Sequence, residues 1–192
     1  MRKLILSMMV SLDGYVEGPN GEMDWFTIND EIIRSATGFL GGIDTLVFGR
    51  VAYEGMVHYW PSLPSKGSNV KGEVEFAYLM NKLPKIVFSN TMERAVWNAS
   101  IVHGDITATI TAVKQQPGKD LVLFGGANIA ATCIQLNLID EYRITVHPVL
   151  LGGGKSLFKG LSEQRQLKLV NTEIYSTGAV LFYYKLKKTI NK

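Results

Sequence analysis

A short apolar run, Leu121-Val-Leu-Phe, ends in the pair Gly125-Gly126 and passes at once into apolar residues at helical spacing, Ile129, Cys133 and Leu136. An unbroken apolar tetrapeptide reads as a strand buried on both faces, and spacings of four and three read as a helix. The same punctuation occurs upstream. Residues 44–48 run into Gly49-Arg50 and a helical turn through Ala52, Tyr53 and Met56, and residues 85–88 stop at Ser89-Asn90-Thr91. Strands alternating with helices up to residue 137 predict a largely parallel sheet with crossover helices.

The composition of these junctions leaves their purpose open. Gly125 and Gly126 permit backbone angles, and a close backbone approach to a ligand, that a side chain forbids. Amides that open a helix are unpaired and partly positive, so the junction suits a phosphate group, and it equally suits a compact strand-to-helix connection. Arg50 offers either a planar, permanently charged phosphate ligand or an i,i+4 ion pair with Glu54. Ser89, Asn90 and Thr91 either bond to a ligand or form the turn that their types favour.

Residues 3–10 read as the first strand. A long loop follows from Ser11 to the neighbourhood of Trp25, either a lid hinged at Gly14, Gly18 and Gly21 or a surface hairpin around Pro19-Asn20-Gly21. Ile32, Ile33, Ala36, Phe39 and Leu40 predict a helix with Asn29, Asp30 or Glu31 at its start, where acidic groups complement the helix dipole. Residues 60–72 read as a loop, residues 74–81 as a helix, and Asp105 as the cap of a helix reaching about residue 116. Beyond residue 137 the pattern becomes strand-rich: residues 141–146, then a glycine-rich loop at 148–155, then 166–175 and 179–187 around Ser176-Thr177-Gly178. The predicted architecture is a single α/β domain over residues 1–192, in three layers (α/β/α), with a mixed, mainly parallel sheet and a C-terminal antiparallel hairpin.

Charge and cysteine usage exclude several functions. The net charge of +3 is spread along the chain, without the basic block that tracks a nucleic-acid backbone. No apolar run approaches the roughly 18 residues of a membrane span. Cys133 is the single cysteine, which rules out an internal disulfide and fits a cytoplasmic protein. His58, His103 and His147 share no metal-ligand spacing, so no metal is expected. Gly152-Gly153-Gly154-Lys155-Ser156 lacks the preceding glycine of a P-loop, which sets nucleotide hydrolysis aside.

Six stretches carry a family resemblance in their order and spacing: Ser11-Leu-Asp-Gly-Tyr-Val, Met23-Asp-Trp, Phe48-Gly-Arg, Ile86-Val-Phe-Ser-Asn, Leu123-Phe-Gly-Gly-Ala and Thr145-Val-His-Pro-Val-Leu-Leu-Gly-Gly-Gly. Over nearly its whole length the chain resembles the dihydrofolate reductase-like superfamily, in particular the branch of the C-terminal reductase domain of riboflavin biosynthesis. The resemblance implies NADPH lying across the ends of the parallel strands and hydride transfer to a small pterin or pyrimidine-type substrate. It implies that Phe124, Gly125, Gly126, Ala127 and Asn128 meet the cofactor around its pyrophosphate. Gly49, Arg50, Ser89 and Asn90 would lie near its adenosine ribose and phosphate. It places Trp25 and Thr145 at the substrate and, counting from Trp25, puts the proton-donating carboxylate at Asp30 or Glu31, inside the pocket. A homodimer is the assembly implied.

The chain also departs from the pattern. Val51-Ala52 stands where many family members have a threonine touching the pyrophosphate, and Tyr53-Glu-Gly-Met-Val-His-Tyr-Trp-Pro replaces the Asp-Asn-Pro stretch usual in the riboflavin reductases. The leading expectation is therefore an NADPH-dependent reductase of a small heteroaromatic substrate. The alternatives are the 5-amino-6-(5-phosphoribosylamino)uracil reductase of riboflavin biosynthesis and a noncatalytic ligand-binding or interaction module.

Overall fold

In the computed structural model, which describes residues 1–161 and 163–187, the alternation becomes one eight-stranded sheet carrying helices on both faces. Strand β1 (Leu4–Ser11) leads through a short β2 (Tyr15–Glu17) to α1 (Asp30–Leu40), β3 (Ile43–Gly49), α2 (Arg50–Met56), α3 (Leu63–Lys66) and α4 (Glu73–Lys82). Next come β4 (Lys85–Phe88), β5 (Ala99–Val102), α5 (Ile106–Gln115), β6 (Asp120–Leu123) and α6 (Ala127–Gln135). The C-terminal part adds β7 (Glu141–His147), β8 (Lys155–Ser156), β9 (Leu167–Ile174) and β10 (Val180–Leu186).

The sheet order is β5-β4-β3-β6-β1-β7-β10-β9. Every pairing from β5 to β7 is parallel, and β10 runs antiparallel to both β7 and β9, so the sheet is mixed as the sequence predicts. Successive side chains of a strand point to opposite faces, and β6 shows how this builds the layers. Leu121 and Leu123 pack with Ile110 of α5 and with Ala130, Cys133 and Ile134 of α6. Val122 points the other way, into a cluster with Ile33 and Leu40 of α1 and Phe76 and Met80 of α4. Full burial of such side chains contributes about 1.5–3 kcal/mol each, which is why an uninterrupted apolar run is stable only in the middle layer.

Helix starts follow their capping chemistry. The Asn29 side chain accepts from Ile32 N at 3.1 Å, and Asp105 accepts from Thr107 N and Ala108 N at 2.7 and 3.1 Å. Two stretches read as loops contain structure. Residues 60–72 include α3, opened by Pro64 with its fixed φ. The loop after β1 contains β2, which pairs antiparallel with β8 and is held there by an ion pair between Glu17 and Lys155 at 3.0 Å. Asp13 adds a second tie, accepting from the amides of Leu151 and Gly152 at 3.1 and 2.8 Å. A partner strand more than 130 residues away leaves no local periodic signal, so these ties are invisible in the sequence.

Candidate active-site cavity

The parallel strands β3, β4 and β6 end side by side, and Gly49, Ser89-Asn90 and Gly125-Gly126 stand at or just past their ends. The amide of Gly49 donates to the carbonyl of Gly125 at 3.4 Å, which brings the two glycine turns into contact. Much of the reason for glycine here is packing. A Cβ at Gly125 would stand 2.9 Å from the Ala52 Cβ; at Gly126, where φ is +97°, it would stand 3.0 Å from Ile129 and 3.3 Å from the Gly49 nitrogen. The compact-connection reading of the pair is thus correct on its own terms. The junction also opens two helices without side-chain caps, since Gly49 and Gly126 are the N-cap residues of α2 and α6. Bare amides therefore stand where β3 and β6 end.

These ends line a cavity of roughly 1000 Å³ that continues beneath α1 to the far side of the sheet centre. Gly49, Arg50, Ser89, Asn90, Phe124, Gly125, Gly126, Ala127 and Asn128 lie in its wall at the strand-end side. Trp25 and Thr145 lie in the same wall, so eleven of the thirteen sequence-predicted positions share one cavity. Arg50 makes the i,i+4 ion pair with Glu54 at 2.8 Å and also lies in the cavity wall. Ser89 forms a turn as well, its hydroxyl accepting from Thr91 N and Met92 N at 3.2 and 3.0 Å. Ala52 fills the space beside Gly125, which gives the departure at Val51-Ala52 a packing role.

Asp30 and Glu31 are the exceptions, and the expectation of a carboxylate inside the pocket is corrected. Neither lines the cavity; from α1 it is Ile32, Ile33, Ser35, Ala36 and Phe39 that do. Asp30 accepts from the amide of Lys71 at 2.9 Å, and Glu31 accepts from the amide of Ser176 at 2.7 Å, a bond that holds its carboxyl below the usual carboxylate range. The physical cause is helical phase. With Ile32 buried against Tyr175, Ala179 and Leu181, the two preceding residues face outward.

The cavity wall carries other polar groups. Trp25 is in edge contact with His147, ring centroids 5.7 Å apart, and the buried Trp25 Nε1 and His147 Nε2 have no hydrogen-bond partner among the described residues. Burial pushes the His147 imidazole below its ordinary pKa. Ser7, Ser35 and Tyr175 line the inner part together with Arg143, whose guanidinium lies 3.8 Å from the Phe39 ring centre and 4.6 Å from that of Tyr183. None of these four was singled out in the sequence. For Arg143 a signal exists: it stands two residues before Thr145 on one strand, and residues at that spacing share a face.

The dinucleotide test is met by the donor set. Two uncapped helix starts, a glycine turn free of side chains and the Arg50 cation suit an anionic, extended cofactor, and the cavity volume lies at the upper end of small-molecule sites. Among the described residues no group of three or more His, Cys, Asp or Glu side chains is placed to hold a metal. No helix among them is long and apolar enough to cross a membrane.

Known proteins are similar to this chain in sequence and in fold. The family model of the RibD C-terminal domain matches residues 2–181. The uncharacterized protein YyaP of Bacillus subtilis (strain 168) is 38% identical over 183 residues, covering 95% of this chain and 94% of its own length. The crystal structure of a candidate riboflavin biosynthesis protein from Shewanella sp. PV-4 superposes with a TM-score of 0.76 at 23% identity, over 97% of this chain and 99% of that one. Dihydrofolate reductase from Enterococcus faecalis, solved in complex with NADP(H) and RAB-propyl, superposes with a TM-score of 0.66 at 16% identity, over 97% of each chain. At these identities the two structures establish a shared fold.

Proposed function

The chain belongs to the family of the RibD C-terminal domain, and from that premise we propose that it is an NADPH-dependent reductase passing hydride to a small heteroaromatic substrate. The observation that carries the reading is the continuity of one cavity from the bare strand ends at Gly49 and Gly126 to Trp25 and Thr145. The Enterococcus enzyme of the same fold was solved with NADP(H), which supports the choice of cofactor.

When bound, NADPH would supply the hydride from its nicotinamide. The chain's residues bind and orient. The backbone of Gly125 and Gly126 and the opening amides of Ala127 and Asn128 take the pyrophosphate, with Phe124 beside them. Gly49, Ser89 and Asn90 take the adenosine ribose, and Arg50 its phosphate, a charged hydrogen bond being worth about 1.5–3 kcal/mol. Thr145 and Trp25 meet the substrate ring, where Trp25 Nε1 is a donor waiting for an acceptor. With Asp30 and Glu31 turned outward, the proton that accompanies hydride reaches the substrate from water or from the wall hydroxyls of Ser35, Thr145 and Tyr175. The reading includes a cytoplasmic homodimer: the unpaired Cys133 supports the location, and the exposed apolar strand β9 supports the assembly.

Tryptophan fluorescence during titration with NADPH tests the reading, with saturation expected below millimolar cofactor. Absence of binding would leave the noncatalytic module. A second reading, reduction of 5-amino-6-(5-phosphoribosylamino)uracil, is favoured by family membership, and following NADPH oxidation with that pyrimidine and with dihydrofolate chooses between the two.

A further inference from the structure

Five charged side chains line the cavity: Glu17, Arg50, Glu73, Arg143 and Lys155. Four of them are satisfied within the protein. Glu17 pairs with Lys155 at 3.0 Å and Arg50 with Glu54 at 2.8 Å, while Glu73 accepts from the Tyr59 hydroxyl at 2.7 Å and from Ser68. Arg143 has neither a hydrogen bond nor an ion pair among the described residues, and its buried Nε is left without a partner. Two carboxylates act on it through space, and both are engaged elsewhere: Glu141 by Lys3 at 2.8 Å and Lys185 at 3.2 Å, and Glu173 by Ser35 at 2.8 Å, Tyr175 at 3.2 Å and Tyr183. Between the faces of Phe39 and Tyr183 the guanidinium is held flat by cation–π contact, which fixes its plane and leaves its N–H edges unused.

An unpaired, half-buried cation is costly unless something completes it. Desolvation pulls the Arg143 guanidinium below its ordinary pKa, and the more distant charges of Glu141 and Glu173 offset it only in part. Meanwhile the carboxylates that a donor-edged ring such as an aminopterin would need, Asp30 and Glu31, lie outside the cavity. The inner end therefore presents a donor fork where a carboxylate was expected.

We infer that Arg143 determines substrate specificity: the inner end of the cavity takes a flat heterocycle through an anionic oxygen edge, a carboxylate or an ionised ring oxygen, and rejects rings that present an amidine-like donor edge. A planar guanidinium matches two oxygens of such an edge at once, and Ser7, paired in register with Arg143 across β1 and β7, and Thr145 stand on the same side of the sheet to complete it. This inference rests on reading the cavity as a reductase's substrate site.

The probes are two pyrimidines of similar size: orotate, which carries a carboxylate and two ring oxygens, and 2,4-diaminopyrimidine, which carries the donor edge. Calorimetric titration of the full chain with each, with and without NADPH, should show orotate binding and diaminopyrimidine failing to bind. Arg143→Met should weaken orotate about ten- to hundredfold, the weight of a charge-assisted hydrogen bond, Arg143→Lys should fall between, and NADPH affinity should stay as in the unaltered chain. The inference is overturned if Arg143→Met takes orotate as well as the parent does, or if the parent prefers diaminopyrimidine or binds neither. The parent's preference between the two probes stands as a test even where Arg143→Met does not fold. Loss of NADPH binding together with Arg143-dependent orotate binding would sink the cofactor reading and leave this one in place.

Discussion

Single residues of this chain show how far type and spacing can go before helical phase decides. Asp30 and Glu31 sit at the right count from Trp25, yet a rotation fixed by Ile32 turns them to Lys71 N and Ser176 N. Count is legible in a sequence; the rotation of a helix depends on what its apolar side meets. Asp30→Asn should therefore leave the rate of NADPH oxidation unchanged and cost at most about 1 kcal/mol of stability, the size of a helix N-terminal charge effect. A tenfold fall in rate with intact cofactor binding would return Asp30 to the chemistry. His147 gives a residue-scale prediction in pH. Burial against Trp25 and Phe26 lowers its folded pKa below the unfolded value near 6.5. Between those two values the unfolded chain binds more protons, so stability rises with pH across that window and is lost as pH falls below about 6.5. Urea denaturation at pH 7 and pH 5 should show a larger acid loss for the parent than for His147→Leu; equal losses would mean that the imidazole protonates freely in the folded state.

At the scale of elements, the strands and helices that bury apolar faces were readable, because β6 and α6 carry their periods in sequence. The function of the glycine turn between them was readable only in part. Gly125 and Gly126 are demanded by contact with Ala52, Ile129 and Gly49, so glycine alone could not have distinguished a phosphate cradle from tight packing. Gly126→Ala should destabilise the fold by about 1–3 kcal/mol, since the residue holds φ +97° and the new methyl meets the Gly49 nitrogen. Chemical denaturation measures the loss, and an unchanged midpoint would show that the turn relaxes. The β2–β8 pairing was unreadable, being made by two short segments joined only through tertiary contact. Its clasp is Asp13, which accepts from Ser11, Leu151 and Gly152 and is held below its ordinary pKa chiefly by the Ser11 hydroxyl. Since Val16, Glu17 and Gly21 form part of the cavity wall, Asp13→Ala should speed hydrogen exchange at residues 15–17 and raise the KM for substrate more than it lowers kcat. Unchanged exchange would mean that the Glu17–Lys155 pair suffices.

For the whole molecule, alternation of elements gave the layers but not the strand order, because which parallel strands become neighbours is settled by crossovers and by packing between distant residues. The order found places β1 and β6 at the centre and leaves two unlike edges. Strand β5 is a four-residue edge with three partly covered positions. The opposite edge, β9, is eight residues long and exposed at every position but Glu173, and it displays Leu167, Leu169, Val170 and Ile174, the last at 79% exposure. Free strand edges are ordinarily short, charged or covered, since unpaired amides beside apolar side chains recruit another strand. Of the two charges β9 carries, Glu173 is turned inward to Ser35, Tyr175 and Tyr183, which leaves Lys168 exposed, and an antiparallel copy of the same strand would both pair the free amides and cover the apolar side chains. A second copy of the chain meets both requirements, so light scattering should find a dimer, and Leu169→Lys with Ile174→Lys should shift it to monomer without altering NADPH affinity, because neither residue lines the cavity. A parent chain that stays monomeric at every accessible concentration would leave the exposed edge to another partner and remove the homodimer from the functional reading.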